Sequence, residues 1–314
     1  MKESGSALYL LGGVTAAGKS ELGLRWAETE GAEILSCDSI AVFKQMDLGS
    51  AKPSCEDQAR VVHHGIDLVD VTDDFSVADY VNYASKVIDE IYKGNGNALV
   101  CGGSGFYMQS FLSRVVDGVI VSEEIRQEIK ETYENHGLEE LVRQLRILNP
   151  MGIANLDACN PRRVIRGLER CVASGKSLIE LREEMEAFPH PYEHLEKWIC
   201  WFDRENEDLE ERIARRTMFM LENGLVSETE KLISLGLTEN LSASNSVGYR
   251  ECISFLNGEM NERELAKAIN HSTRRLVFKQ RKWYRKHFGE SSRVVLGGDS
   301  ERSNQIFWVK AGHA

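Results

Sequence analysis

Several things are missing from this 314-residue chain, and each absence narrows its function. No apolar stretch approaches the roughly 20 residues of a membrane-spanning helix. The opening "MKESGSALYLLGG" carries one Lys and too short an apolar run for a secretory signal. A cytoplasmic protein with no membrane partner is therefore expected. The seven cysteines, at 37, 55, 101, 159, 171, 200 and 252, form no Cys-x-x-Cys pair. That argues against a zinc site and a disulfide framework, and fits a reducing compartment. There is no internal repeat and no low-complexity linker. Acidic residues, abundant overall in a chain of net charge −11, vanish between Leu265 and Gly289. The global charge argues against a nucleic-acid partner. The local depletion argues the other way, because distribution matters more than the sum.

What is present begins with "ALYLLG", residues 7–12, a buried-strand pattern, followed by "GGVTAAGKSE". Gly13-Val14-Thr15-Ala16-Ala17-Gly18-Lys19-Ser20 has the spacing of a phosphate loop. Its glycines permit a tight turn whose N–H groups, with the positive end of the next helix, make an anion nest. Lys19 adds a point charge, and the Ser20 hydroxyl is placed for a magnesium ion on the phosphates. The motif specifies a diphosphate or triphosphate; whether that is ATP, GTP or another diphosphate stays open.

A helix is expected over about 19–30 with Leu22 and Trp26 on one face. Strands are expected at 33–37, 63–71 and 97–101, with a capped helix after Ser76 presenting Val81, Ala84, Ile88 and Ile91. Alternating strands and helices predict a parallel sheet covered on both faces. From about Val121 to His190 only helical periodicity remains. Two helices, 123–135 and 138–148, precede a third opened by Asn160-Pro161 and closed by Gly175. Strand-like "KWICWF" at 197–202 follows, then helices at 207–223, 226–235 and about 261–288, and strand-like "RVVLGG" and "QIFWVK". The expected architecture is an α/β, P-loop NTPase-like core, 1–120 and 193–314, interrupted by an all-helical insertion at 121–192.

Asp38 directly follows the second strand. Ligands in open α/β sheets bind outside the carboxyl ends of strands. The phosphate loop, Asp38-Ser39 and Gly103-Ser104 should then converge, with Asp38 placed to take a proton from a nucleophile. The alternative is an Asx-turn or a helix cap. In the Asn160 helix, Arg162, Arg166 and Arg170 alternate with an apolar stripe of Val164, Leu168 and Val172. That is either a solvated face or a phosphate-backbone contact. Arg212 and Arg216 repeat the spacing, with salt bridges to Glu210 and Glu211 as the alternative. His63-His64 point to opposite faces of a strand and are expected to be structural.

Taken together the ordered segments resemble the tRNA dimethylallyltransferases, over about residues 7–288. "DSIAVFKQMDLGSAKP", "HHGIDLVD", "FSVADY", "GGSGFYMQSFL", "NPRRVIRGLERCVASGKSL", "SVGYRE" and "TRRLVFKQRKW" occur in that family's order. Val14 replaces the family's loop Pro, Phe43 its usual Tyr, and Phe278-Lys279 stand where the family has Lys and Arg. The resemblance implies a bacterial-type enzyme, expected to be a monomer. It would transfer a dimethylallyl group from dimethylallyl diphosphate to the exocyclic amine of the adenosine 3′ of the tRNA anticodon. By resemblance, Asp38 is the general base, residues 13–20 and Mg2+ at Ser20 hold the diphosphate, and Lys19, Ser104 and Arg216 act beside the reacting groups. The same resemblance assigns anticodon stem-loop contacts to Asp38, Ser39, Ile40, Ala41, Ser104 and Arg126. Further ones fall to Arg162, Arg163, Val164, Ile165 and Arg166. The last group is Asn245, Ser246, Val247, Gly248, Tyr249, Arg250, Arg274, Lys279 and Arg281. The rivals are an adenylate isopentenyltransferase, a P-loop small-molecule kinase and a non-catalytic RNA-binding module.

Overall fold

The computed structural model describes residues 7–153, 156–189, 192–297 and 306–312. They form two compact units, one of residues up to 112 and from 192 onward, the other of residues 113–191.

The first unit is built on a sheet of β1 (Ala7–Gly13), β2 (Ala32–Ser36), β3 (His63–His64), β4 (Asn97–Cys101), β5 (Glu196–Arg204), β6 (Arg293–Leu296) and β7 (Val309–Lys310). The order is β3-β2-β4-β1-β5-β6, parallel throughout, with β7 antiparallel on β5. β1 lies between β4 and β5, which is why it reads as an unbroken apolar run: both faces are covered. Leu8 and Leu10 pack on one face against Tyr80, Ala84, Val87, Ile88 and Ile91 of α3 (Val77–Lys93). Leu11 points to the other face, in a cluster with Leu24 and Ala27 of α1 (Lys19–Glu30). The phosphate loop thus leaves the middle of a P-loop NTPase-like sheet and opens directly into α1. The buried stripe of α1 is Gly23, Leu24 and Ala27; Leu22 and Trp26 sit at its margin, only partly buried.

After α2 (Cys55–Arg60), β3 is far shorter than the strand expected over 63–71. Gly65 (φ 79°) and Asp67 (φ 55°) turn the chain left-handed there, and pairing resumes only as a bridge between Phe43 and Val69. α4 (Gly105–Leu112) completes the first half of this unit. The second half adds α8 (Asn206–Glu222), α9 (Leu225–Ser234), α10 (Leu241–Ser244), α11 (Tyr249–Leu256) and α12 (Glu262–His287), numbered after the helices of the second unit. Two residues of the late strand-like runs, Gly298 and Gln305, lie outside the described residues.

The second unit holds α5 (Glu123–Leu148), α6 (Pro161–Ser174) and α7 (Leu178–Ala187). Gly137, at φ 75° and ψ −175°, breaks α5 into two helical pieces. α6 has Asn160 as N-cap, accepting from the Arg163 amide, Pro161 at its first turn and Gly175 at its left-handed C-cap. Leu141, Leu145, Val164, Leu168, Cys171 and Leu178 form its core. Val172, expected on the apolar stripe, is 44% exposed. Ahead of α5, Asp117 accepts from Arg170 of α6 and Arg114 lies over the Phe188 ring, within the compact unit of residues 113–191.

Candidate active site

The loops after β1, β2 and β4 meet at the carboxyl ends of these parallel strands. The contact between the last two is made by Cys37. Its amide donates to Cys101 O at 2.8 Å and its carbonyl accepts from the Ser104 amide at 3.1 Å. Gly102 must be glycine here, since a Cβ would lie 2.1 Å from the Cys37 carbonyl oxygen. Asp38 and Ser104 are thereby fixed on adjacent loops. With the phosphate loop they line a cleft of about 1600 Å³.

In the phosphate loop, Gly18 caps α1 at φ 97° and Ala16 is held at φ 62°. The left-handed region costs a residue with a Cβ on the order of 1 kcal/mol. Arginines oppose that cost. Arg212 Nε donates to Ala16 O at 2.9 Å, and Arg204 Nε donates to Ala17 O at 2.9 Å. Arg216 Nη1 lies 3.5 Å from Thr15 Oγ1. With carbonyls 16 and 17 turned toward arginines, the amides of Gly18, Lys19 and Ser20 have no protein acceptor among the described residues. That is the anion nest, at the positive end of α1. Gly13, Val14 and Ala17 are buried behind it. Lys19 Nζ donates to Val14 O at 2.7 Å. Burial lowers the Lys19 pKa to about 8; the Arg216 charge pushes the same way, while Cys101 and Asp38 oppose it. The pKa of Arg216 is also lowered by burial, against the charge of Asp38.

Asp38 combines the two expected readings. Oδ1 accepts from the Ile40 amide at 2.8 Å and the Ala41 amide at 3.4 Å, an Asx-turn that orients the carboxylate. Oδ2 has no hydrogen-bond partner among the described residues. Ser39, Ile40 and Ala41 line the cleft beside it, as do Asn245, Ser246, Val247, Arg250 and Lys279.

The other expected contact residues differ in burial and pairing. The Tyr249 ring is fully buried, its hydroxyl donating to Glu228 Oε1 at 2.6 Å, and Gly248 is buried with it. Arg250 is held by Glu251, Ser272 and the Asn245 carbonyl. Arg281 is spent within the fold: Nε on Asp203 Oδ1 at 2.8 Å, Nη1 on Asn206 at 2.7 Å, Nη2 on Arg204 O at 2.7 Å. Arg274 lies 3.7 Å from Glu210 and remains half-exposed. In the helical unit the Val164 side chain is fully buried and cannot meet a ligand. Arg166 pairs with Glu169 at 2.7 Å but stays largely exposed. Arg126, Arg162, Arg163 and Ile165 lie on α5 and α6 of the same unit. His63 and His64 turn to different acceptors, Val61 O and Glu33. No group of three or more metal-ligating side chains occurs among the described residues.

Two residues of the site were not singled out from sequence. Arg204 ends β5, so the rule that ligands sit at carboxyl strand ends is the signal that identifies it. Gln280 sits inside the cationic run, where its lack of charge is the only mark.

The family model for IPP transferase matches residues 41–287. The chain belongs to the IPP transferase family. Among members of the family, the protein from Opitutus terrae named tRNA dimethylallyltransferase is 44% identical over 91% of this chain and 92% of its own length. One from Citrifermentans bemidjiense, tRNA dimethylallyltransferase 1, is 35% identical over 98% and 94%. Among solved structures, the tRNA isopentenylpyrophosphate transferase of Bacillus halodurans superposes with a TM-score of 0.65 at 26% identity, covering 95% of this chain and 93% of that one. A eukaryotic dimethylallyltransferase described as acting on tRNA shares the fold, with a TM-score of 0.77 at 19% identity over 96% and 76%.

Proposed function

We propose that this IPP transferase moves a dimethylallyl group from dimethylallyl diphosphate to the exocyclic amine of the adenosine 3′-adjacent to the anticodon in tRNA. The observation that carries the reading is one cleft holding an anion nest, a carboxylate with a free oxygen, and cationic side chains of α12. The nest and Lys19, Arg212 and Arg216 suit a diphosphate. Arg275 and Lys279, both exposed on the cleft, suit a nucleic-acid backbone.

The nitrogen–carbon bond forms as the allylic carbon–oxygen bond breaks. The amine proton passes to Asp38 Oδ2 and diphosphate departs carrying the bonding electron pair. Negative charge grows on the leaving oxygen, where the nest, Lys19 and Arg216 stabilise it. Ser104 presents a hydroxyl on the loop beside Asp38. The target base has to leave its stack to enter the cleft, which an anticodon loop permits more cheaply than a duplex.

The donor set suits a magnesium ion that keeps most of its ligands from substrate and water. Ser20 is exposed at the first turn of α1; among the described residues its hydroxyl has no partner and no all-protein cage surrounds it. Ser20 would hold the ion, which supplies charge neutralisation for the departing diphosphate. The protein is proposed to act as a cytoplasmic monomer; among the described residues no helix is long and apolar enough to cross a membrane.

The test is incubation with tRNA and either labelled dimethylallyl diphosphate or labelled ATP, followed by mass analysis of the nucleosides. Dimethylallyl-adenosine from the first donor is expected. Phosphoryl transfer from ATP with no prenylated nucleoside would replace this reading with the kinase.

A further inference from the structure

Helix α12 does more than carry charge along the cleft. Its inner face braces two substrate-facing loops at once. Gln280, 8% exposed, accepts from the Thr15 amide at 2.8 Å through Oε1 and donates to Gly103 O at 3.0 Å through Nε2. One end of the amide therefore holds the phosphate loop and the other holds the loop that carries Ser104. One turn on, the Tyr284 hydroxyl donates to Gly102 O at 3.0 Å. Thr15 is also the residue whose hydroxyl meets Arg216. A line of contact runs from α12 through Thr15 to the cation on α8.

An amide alone can fill this place without rearrangement. A carboxylate accepts from Thr15 but sets a lone pair against the Gly103 carbonyl. A hydrocarbon of equal length leaves a buried N–H and a buried carbonyl unpaired. The fit is tight from the other side too: a Cβ on Gly103 would lie 2.6 Å from Gln280 Nε2. Residue 103 thus has to be glycine for the bridge to form, and a methyl there would push the flexible amide aside while leaving α12 intact.

We infer that Gln280 is a positioning residue: its side-chain amide sets the phosphate loop against the Gly103-Ser104 loop, and the affinity for the diphosphate depends on that spacing. The inference rests on the prenyl-transfer reading for its meaning in turnover, but not for its effect on anion binding.

The experiment measures the Kd for inorganic diphosphate, with magnesium present, in the full-length wild type, Gln280→Met, Gly103→Ala and the double variant. Thermal midpoints are recorded alongside. Each single change is expected to raise the Kd about tenfold, the loss of roughly one to two net hydrogen bonds. The double variant should bind about as weakly as either single one, because both changes remove the same bridge. In turnover, kcat/KM for dimethylallyl diphosphate should fall with the Kd, and the midpoint should drop by a few degrees for the groups left unpaired, so the Kd is read well below it. An unchanged Kd in either folded variant, or effects that multiply to about a hundredfold, would overturn the inference. If Gln280→Met does not fold, Gly103→Ala against Gln280→Glu decides the same question: both must weaken diphosphate binding. A wild type that binds diphosphate but prenylates no RNA would defeat the proposed function and leave the positioning role standing.

Discussion

Lys19 is turned back onto its own loop, its ammonium donating to the carbonyl of Val14 at 2.7 Å. An anion in the nest competes with that carbonyl for the same charge. Burial is the main reason its pKa falls to about 8 in the free protein. The anion favours the charged form, so below about pH 8 binding needs no proton uptake. Above it the neutral amine must first be protonated, and affinity falls by up to about tenfold per pH unit. The Kd for inorganic diphosphate measured across about pH 7 to 9.5 in wild type and Lys19→Met checks this. The ligand's own ionisation is common to both proteins, so their ratio should shrink as pH rises through 8. A ratio constant over the range would remove Lys19 as the titrating group.

Asp38 separates architecture from chemistry in one side chain. Asn keeps an oxygen to accept from the Ile40 and Ala41 amides, so Asp38→Asn should preserve the turn, the thermal midpoint and RNA affinity. It removes the basic oxygen, and single-turnover prenyl transfer should drop by about 10² to 10⁴. Asp38→Ala removes the Asx-turn as well and should lower the midpoint measurably. Asp38→Asn retaining near-normal turnover would strip Asp38 of the role of base.

Local patterns made much of this fold legible. The buried run of β1, the Gly18-Lys19 loop, the reciprocal Ser76–Asp79 cap and the Asn160-Pro161 start of α6 are each decided within a few residues of sequence. The strand expected at 63–71 failed because Gly65 and Asp67 adopt left-handed conformations that apolar alternation does not reveal. Site geometry was legible only to the ends of strands. The grip on the phosphate loop comes from Arg204, Arg212 and Gln280, at sequence separations of 187 to 265 residues. Residue type does not announce such partners. The same limit explains Arg281: within "KQRKWYRK" it looks like its exposed neighbours, and only the fold turns it inward.

The consequence for Arg281 can be measured. Asp203 is fully buried at the end of β5 and pairs with Arg281 at 2.8 Å and Arg293 at 2.7 Å. Removing the shared anion leaves two cations with little access to water, so Asp203→Asn should cost about 3 kcal/mol or more of stability. Arg281 also holds the carbonyl of Arg204, whose side chain grips Ala17. Asp203→Asn should therefore weaken diphosphate binding too, even at temperatures where the variant is fully folded. Thermal unfolding and diphosphate titration together check it, and a destabilised variant with wild-type affinity would confine Asp203 to stability.

The outer face of α12 makes a different demand. Arg275, Lys279 and Lys282 are exposed, and Arg275 and Lys279 line the cleft. Contacts with a nucleic-acid backbone release bound counterions, so each one lost reduces the slope of log affinity against log salt by about 0.7 to 0.9. Arg275→Gln with Lys279→Gln should weaken binding of an anticodon stem-loop and flatten the slope by about 1.4 to 1.8. Among the described residues neither has a buried partner to strand, so the thermal midpoint should stay near wild type. Phe278, 71% exposed on the same helix, carries no charge; Phe278→Ala should leave the slope unaltered whatever it does to affinity. Equal slopes for wild type and the double variant would mean that the RNA does not lie along this helix, and that the acid-free run is only a solvated face.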